Sequence, residues 1–225
     1  MIFGNKILDY WDDILRDLGT LVAIPSVCGP ADGKYPYGKE PARALDTALA
    51  LARSYGLETQ NVDYYAGHAQ YGEGDENAIV MAHLDVVPAG EGWTVTEPFE
   101  PVEKDGKLYG RGTADDKGPA VAALYAMRAI KELGIPVKKN VRLILGTDEE
   151  CGSSDIEVYY KREKEAPMTF SPDASFPVIN IEKGRIPGGF SASFEASEAL
   201  PKIVSIDAGI KVNVVPGKAK AVVAG

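Results

Sequence analysis

Histidine and cysteine are scarce in this 225-residue chain, with two of each. Cys28 and Cys151 stand far apart and form no CxxC spacing, so they read as buried free thiols in a reducing, cytoplasmic setting. No apolar run approaches the roughly 20 residues that a bilayer span requires. The N-terminal stretch lacks the basic flank and continuous apolar segment of a signal peptide. Positive charge is also in deficit: 24 Lys and Arg face 33 Asp and Glu, for a net charge of −9. A basic surface that displaces counterions from phosphates is therefore not expected, and neither nucleic acid nor membrane is an expected partner. The P-loop pattern GxxxxGK[ST] does not occur. In Gly110-x-Gly112-x-x-Asp115 an aspartate replaces the third glycine of a dinucleotide fingerprint, and its carboxylate would repel a pyrophosphate.

What is present is 45% hydrophobic residues in a pattern that alternates strands with helices. Ile7, Leu8, Trp11, Ile14, Leu15 and Leu18 mark one stripe of an amphipathic first helix. ARALDTALALARSYG reads as a second helix ended by Gly56. Residues 58–65 look like a strand, followed by a hairpin around YYAGHAQYG that would leave His68 in an exposed loop. NAIVMAHLDVV has the continuous apolar character of a strand buried on both faces. Asp105-Gly106 marks a hairpin turn, residues 116–133 the clearest helix, VRLILGT a second buried strand, 154–164 a helix and 178–182 a short strand. Strands joined by crossover helices predict an α/β three-layer sandwich with a largely parallel central sheet. From about residue 187 the texture becomes β-rich, which suggests a second module.

The acids can be read individually or together. Asp115 and Asp116 precede the clearest helix, where capping and the helix dipole favour acids, and taken alone they fit that role better than metal binding. A histidine near a strand end, two glutamates after a strand and an aspartate in a loop each have equally ordinary explanations. Yet His83, Asp115, Glu149, Glu150 and Asp173 all fall at or just beyond strand ends. The intervals are 32 residues from His83 to Asp115, 35 from there to Glu150 and 23 on to Asp173. Each interval leaves room for a crossover, and in an open parallel sheet such strand ends share one edge. At two residues' separation on a strand, His83 and Asp85 point to the same side, which suits an imidazole metal ligand oriented by a carboxylate. The combination proposes a carboxylate-rich site with one histidine, suited to Zn²⁺ or a similar divalent ion.

The order AHLDVVP, GRGTADDKGP, GTDEE and SPDASFP resembles the di-zinc M20 metallopeptidases. EECGSSDIEVYY and FSPDASFPVINIEKG resemble the PepV-type bacterial dipeptidase branch. The resemblance implies a zinc-peptidase type of catalytic domain, whose N-terminal part spans residues 1–186, followed over 187–225 by the beginning of a lid domain. It implies hydrolysis of the peptide bond of dipeptides or short peptides, with two Zn²⁺ per complete site and Mn²⁺ or Co²⁺ as substitutes. His83 would bind one zinc, with Asp85 holding its ring and Asp173 as a second ligand. Asp115 would bridge both metals, with a cis peptide bond after it. Glu150 would bind the second zinc, Glu149 would be the general base acting on a zinc-activated water, and Asn213 would contact substrate. The rival readings are an M20 hydrolase of other amides, of the N-acyl amino acid deacylase or succinyl-diaminopimelate desuccinylase type, and an inactive metal-binding fragment.

Members of that family are much longer, and they carry a second metal-binding histidine and a lid histidine downstream. His68 is in the wrong place for either role. The 225 residues are therefore expected to be an N-terminal portion, impaired in isolation and prone to self-association through uncovered apolar surface.

Overall fold

The computed structural model describes residues 3–74, 76–184, 186–195, 197–209 and 215–225. The chain divides into two units, Met1–Phe176 and Pro177–Gly225, and the sequence-based boundary at 186/187 falls inside the second. Asn213 lies outside the described residues.

The first unit is built on a five-stranded sheet in the order β1-β2-β6-β3-β7. Its strands are β1 (Glu58–Val62), β2 (Ala66–Tyr71), β3 (Asn77–His83), β6 (Asn140–Gly146) and β7 (Met168–Phe170). β3 pairs in parallel with β6 and β7, whereas β2 runs antiparallel to both β1 and β6. The α/β class is as expected, but the sheet is mixed rather than largely parallel, because the β1–β2 hairpin joins β6 from the opposite direction.

Side-chain alternation along the central strands builds two cores. Leu143 and Leu145 of β6, with Ala82 of β3, face a core shared with Leu21 and Val22 of α1 (Trp11–Val22) and Leu45 and Leu49 of α2 (Lys39–Ser54). Leu124 of α3 (Lys117–Glu132) completes that layer. Ile144 of β6 and Ile79 of β3 point the other way and meet Val62, Ala66 and Tyr159, the last residue of α4 (Ser154–Tyr159). Helices therefore cover both faces, and α3 lies in the connection between the adjacent parallel strands β3 and β6.

A short 3-10 helix, Phe3–Tyr10, precedes α1. At about three residues per turn it breaks the α-helical stripe. Ile7, Ile14 and Leu18 pack on the core, while Leu8 and Trp11 are 66% and 52% exposed. β4 (Val102–Lys104) and β5 (Lys107–Tyr109) form the expected hairpin. Asp105 and Gly106 turn it with φ of 54° and 70°, both left-handed as a type I′ turn requires.

Three local expectations are overturned. The short strand is Met168–Phe170, not 178–182, and residues 178–182 carry no strand assignment. His68 is a strand residue of β2, 5% exposed, not part of an open loop. It sits between Gln60 of β1 and Ile144 of β6, and its Nδ1 lies 2.9 Å from the Tyr159 hydroxyl. Cys28 is half-buried and Cys151 is exposed, so the thiols are not both enclosed.

In the second unit, β8 (Lys202–Ala208) and β9 (Ala219–Ala224) pair antiparallel, with a register irregularity between Ile203 and Ser205. No described helix is long and apolar enough to cross a membrane.

Candidate metal centre

Three parallel strands end on the same edge of the sheet, and the site lies just beyond them. His83 is the last residue of β3, Glu149 and Glu150 open the 3-10 turn Glu149–Cys151 after β6, and Asp173 follows β7. Asp115 sits in the loop that leads into α3, and the peptide bond after it, Asp115–Asp116, is cis.

GRGTADDKGP is a tightly folded loop. A Cβ at Gly118 would collide with the Thr113 carbonyl oxygen, so only glycine lets the start of α3 approach that backbone. Lys117, fully buried, reaches back with Nζ donating to the carbonyls of Leu21 at 2.9 Å and Ile24 at 2.8 Å. Burial strips its ammonium of water and pulls its pKa down to about 7. Nothing local in the sequence marks Lys117 as the pin between this loop and the end of α1. Asp116 occupies the N-cap position of α3 but makes no capping bond. Its buried carboxylate instead accepts the backbone N–H of His83 at 3.1 Å, which corrects the reading of this residue as a helix cap.

The imidazole of His83 is the centre of the arrangement. Its Nδ1 lies 3.0 Å from the backbone oxygen of Asp85 and 3.3 Å from Asp85 Oδ1. A donor at Nδ1 leaves the Nε2 lone pair facing outward. Around Nε2 stand Asp115 Oδ1 at 3.1 Å, Asp173 Oδ2 at 3.6 Å and Glu149 Oε2 at 3.8 Å. The ligand atoms of His83, Glu149 and Asp173 all fall within 4.8 Å of one another. Nε2 is buried, and among the described residues it makes no hydrogen bond.

Asp85, fully buried, organises the neighbouring turn as well. Its Oδ1 accepts the N–H of Glu149 at 3.1 Å and its Oδ2 that of Glu150 at 3.0 Å. Asp155 Oδ2 holds the preceding backbone in the same way, accepting from Thr147 at 2.6 Å and Asp148 at 3.1 Å. Glu150 is thus placed by its backbone beside Glu149, while the carboxylates that approach Nε2 are those of Asp115, Glu149 and Asp173.

The electrostatics fit a cation. Burial alone would lower the His83 pKa, but the hydrogen bond and charge of Asp85, with Asp116 and Glu149, raise it to about 10. Burial and then the neighbouring acids, against the pull of His83, raise both Glu149 and Glu150 above the usual carboxylate range. Burial likewise pushes Asp116 up to about 7. Several carboxylates crowding one unpartnered ring nitrogen is a donor set that a divalent ion neutralises, with mixed N and O ligands suited to zinc and its neighbours.

A cavity of about 710 Å³ opens beside these groups, and its lining includes His83, Glu149 and Asp173 together with Met81, Ile156 and Tyr160.

Comparison with known proteins adds to this geometry. The model of the peptidase family M20/M25/M40 matches residues 79–216, a stretch that holds His83, Asp85, Asp115, Glu149, Glu150 and Asp173. The YtjP protein of Bacillus subtilis (strain 168) is 42% identical over 221 residues, 95% of this chain and 47% of that protein. The Beta-Ala-Xaa dipeptidase of Lactobacillus delbrueckii subsp. lactis is 41% identical over 217 residues, 95% of this chain and 46% of that enzyme. The crystal structure of human carnosine dipeptidase 1 superposes with a TM-score of 0.65 at 27% identity, over 76% of this chain and 40% of that one. This chain spans about half the length of the curated relatives it matches. With a family match that runs across more than half of its residues and through every group at the strand ends, the chain belongs to the peptidase family M20/M25/M40.

Proposed function

We propose that the protein hydrolyses the peptide bond of dipeptides or short peptides at a pair of divalent ions, zinc in the first instance, held at the strand ends. The observation that carries this reading is His83 Nε2: buried, without a hydrogen bond among the described residues, and surrounded by three carboxylates. His83 and Asp173 would hold one ion, Glu150 the other, and Asp115, nearest to Nε2, would lie between them. When bound, such ions polarise a carbonyl and acidify water. The dipeptide preference is inferred from the relative named Beta-Ala-Xaa dipeptidase.

The chain's own residues supply the rest. Asp85 fixes the His83 ring and, through two backbone bonds, the turn that presents Glu149 and Glu150. Glu149, with its side chain 49% exposed, faces the open side of the cluster, where it can take a proton from water and return it to the departing amine. Its raised pKa makes it a better base than an ordinary glutamate. Met81, Ile156 and Tyr160 offer an apolar wall for a substrate side chain.

The test is Glu149→Gln in protein supplied with Zn²⁺ or Mn²⁺, assayed on a panel of β-alanyl and α-dipeptides and N-acyl amino acids. Turnover should fall by about 10²–10⁴-fold, while metal content stays unchanged. Retained turnover would remove Glu149 from the base role. Preference for N-acyl amino acids over every dipeptide would replace the substrate class. Measuring residues 1–225 against the Lactobacillus enzyme tests the expectation that the isolated chain is impaired.

A further inference from the structure

Cys28 and Cys151 are 123 positions apart in sequence, yet their Sγ atoms and a carboxylate oxygen of Asp148 all lie within 4.8 Å of one another. The fold brings them together through an extension of β3. Beyond His83, the chain bridges in parallel to the segment after α1, pairing Val27 with Val86, and Val86 N–H donates to Ser26 O at 3.1 Å. This places Cys28 against the turn after β6, at whose end Cys151 stands. The Cys28 thiol is 3.4 Å from Asp85 Oδ2 and 3.2 Å from Thr147 O. Asp148 is already engaged, because its Oδ2 accepts from both N–H and hydroxyl of Ser154. Of the three groups, the two sulfurs are the pair that oxidation can join covalently.

We infer that Cys28 and Cys151 form an oxidisable dithiol, and that closing it into a disulfide disturbs the turn that presents Glu149 and Glu150. Cys151 is exposed and meets the oxidant first, while half-buried Cys28 resolves it. With a peroxide, the Cys151 sulfur attacks one peroxide oxygen, giving a sulfenic acid and one water. The Cys28 sulfur then attacks the sulfenic sulfur: the S–S bond forms, the S–O bond breaks and a second water leaves. Two thiols have lost two protons and two electrons, which with the cleaved O–O bond make the two waters. Bond formation requires the sulfurs to close to about 2.05 Å, which pulls Cys151 and the adjoining Glu149–Glu150 backbone toward Cys28. It also removes the S–H at Asp85, the group that orients His83 and both glutamate N–H groups. A dithiol reductant reverses the step.

The crosslink stands on the sulfur geometry alone, whereas its effect on ion binding rests on the function proposed above, and the two are read separately. Reduced protein is treated with hydrogen peroxide, alkylated and mapped by peptide mass spectrometry. The expected result is loss of both alkylation sites, a mass 2 Da below the reduced chain within one molecule, and a linked peptide pair containing residues 28 and 151. Cys151→Ser and Cys28→Ser each abolish the pair. If one variant fails to fold, the wild-type peptide map still decides. Full alkylation after peroxide, stable sulfinic acid at Cys151, crosslinks only between molecules, or protection of the thiols by Zn²⁺ without any crosslink would each overturn the proposal. Titration of oxidised and reduced protein with Zn²⁺ then reads the coupling. Affinity should fall about 10–100-fold, the size seen when groups orienting metal ligands are disturbed, and equal affinities would refute the coupling.

Discussion

Lowering the pH should unload a specific amount of stability through His68. This ring is 5% exposed in β2, with the Tyr159 hydroxyl at Nδ1 and the Arg142 guanidinium beside Tyr159. Burial, reinforced by the charge of Arg142, lowers its pKa from 6.5 to about 4. The folded state therefore holds the neutral ring, and the unfolded chain takes up the proton first. Stability owed to the neutral ring is intact above the unfolded pKa and is lost as pH falls from about 6.5 toward 4. Going from pH 7.5 to 4.5, linkage over that shift gives a loss of about 2.5 kcal/mol. A single domain commonly has only about 5–15 kcal/mol in total. The assay is urea unfolding followed by tryptophan fluorescence, because Trp11 and Trp93 both belong to the first unit. The control is His68→Asn, which keeps an acceptor near the Nδ1 position without a titrating ring. Wild type should lose about 2–3 kcal/mol more than the variant over this range. Equal losses in the two proteins would refute the assignment and return His68 to the status of an ordinary polar residue.

Two further outcomes follow from the strand-end cluster and its loop. The acids around His83 raise its pKa to about 10, so an ion that binds at Nε2 would displace a proton held there. Calorimetric titration with Zn²⁺ in buffers of differing ionisation enthalpy should show release of about one proton per first ion bound, and a buffer-independent heat would contradict this. Gly118→Ala should destabilise the first unit by at least about 2 kcal/mol, since the new methyl would collide with the Thr113 carbonyl oxygen. An unchanged urea midpoint would show that the loop yields more easily than its backbone contact implies.

Much of the site was legible because the sequence writes it in short-range code. AIVMAHLD is apolar until the histidine, and the change to polar residues marks where the strand leaves the sheet. The same transition occurs at LILGTDEE, and α3 announces itself by period and by Gly134 beyond its end. What stayed hidden depends on long-range placement. Val178, Ile179 and Ile181 look more strand-like than Met168–Phe170, yet they are 76%, 53% and 79% exposed. Pairing with β3 decided the matter, and the register sets Ala78 opposite Met168. AGHAQY has small residues around its histidine and gives no local sign that neighbouring strands flank it on both sides. Asp116 could not be separated from a helix cap by its position, because its actual partner, the His83 N–H, is 33 residues away. Lys117 and Cys28 find their partners across longer gaps still, and no spacing rule spans them.

The grip of Asp85 on residues 149 and 150 has a consequence for redesign. It clasps their main-chain N–H groups, which any residue other than proline supplies. Asp85 therefore sets the course of the turn whatever side chains project from it. If the turn ligates ions as proposed, replacing a carboxylate there by imidazole or thiolate would alter which ion is preferred.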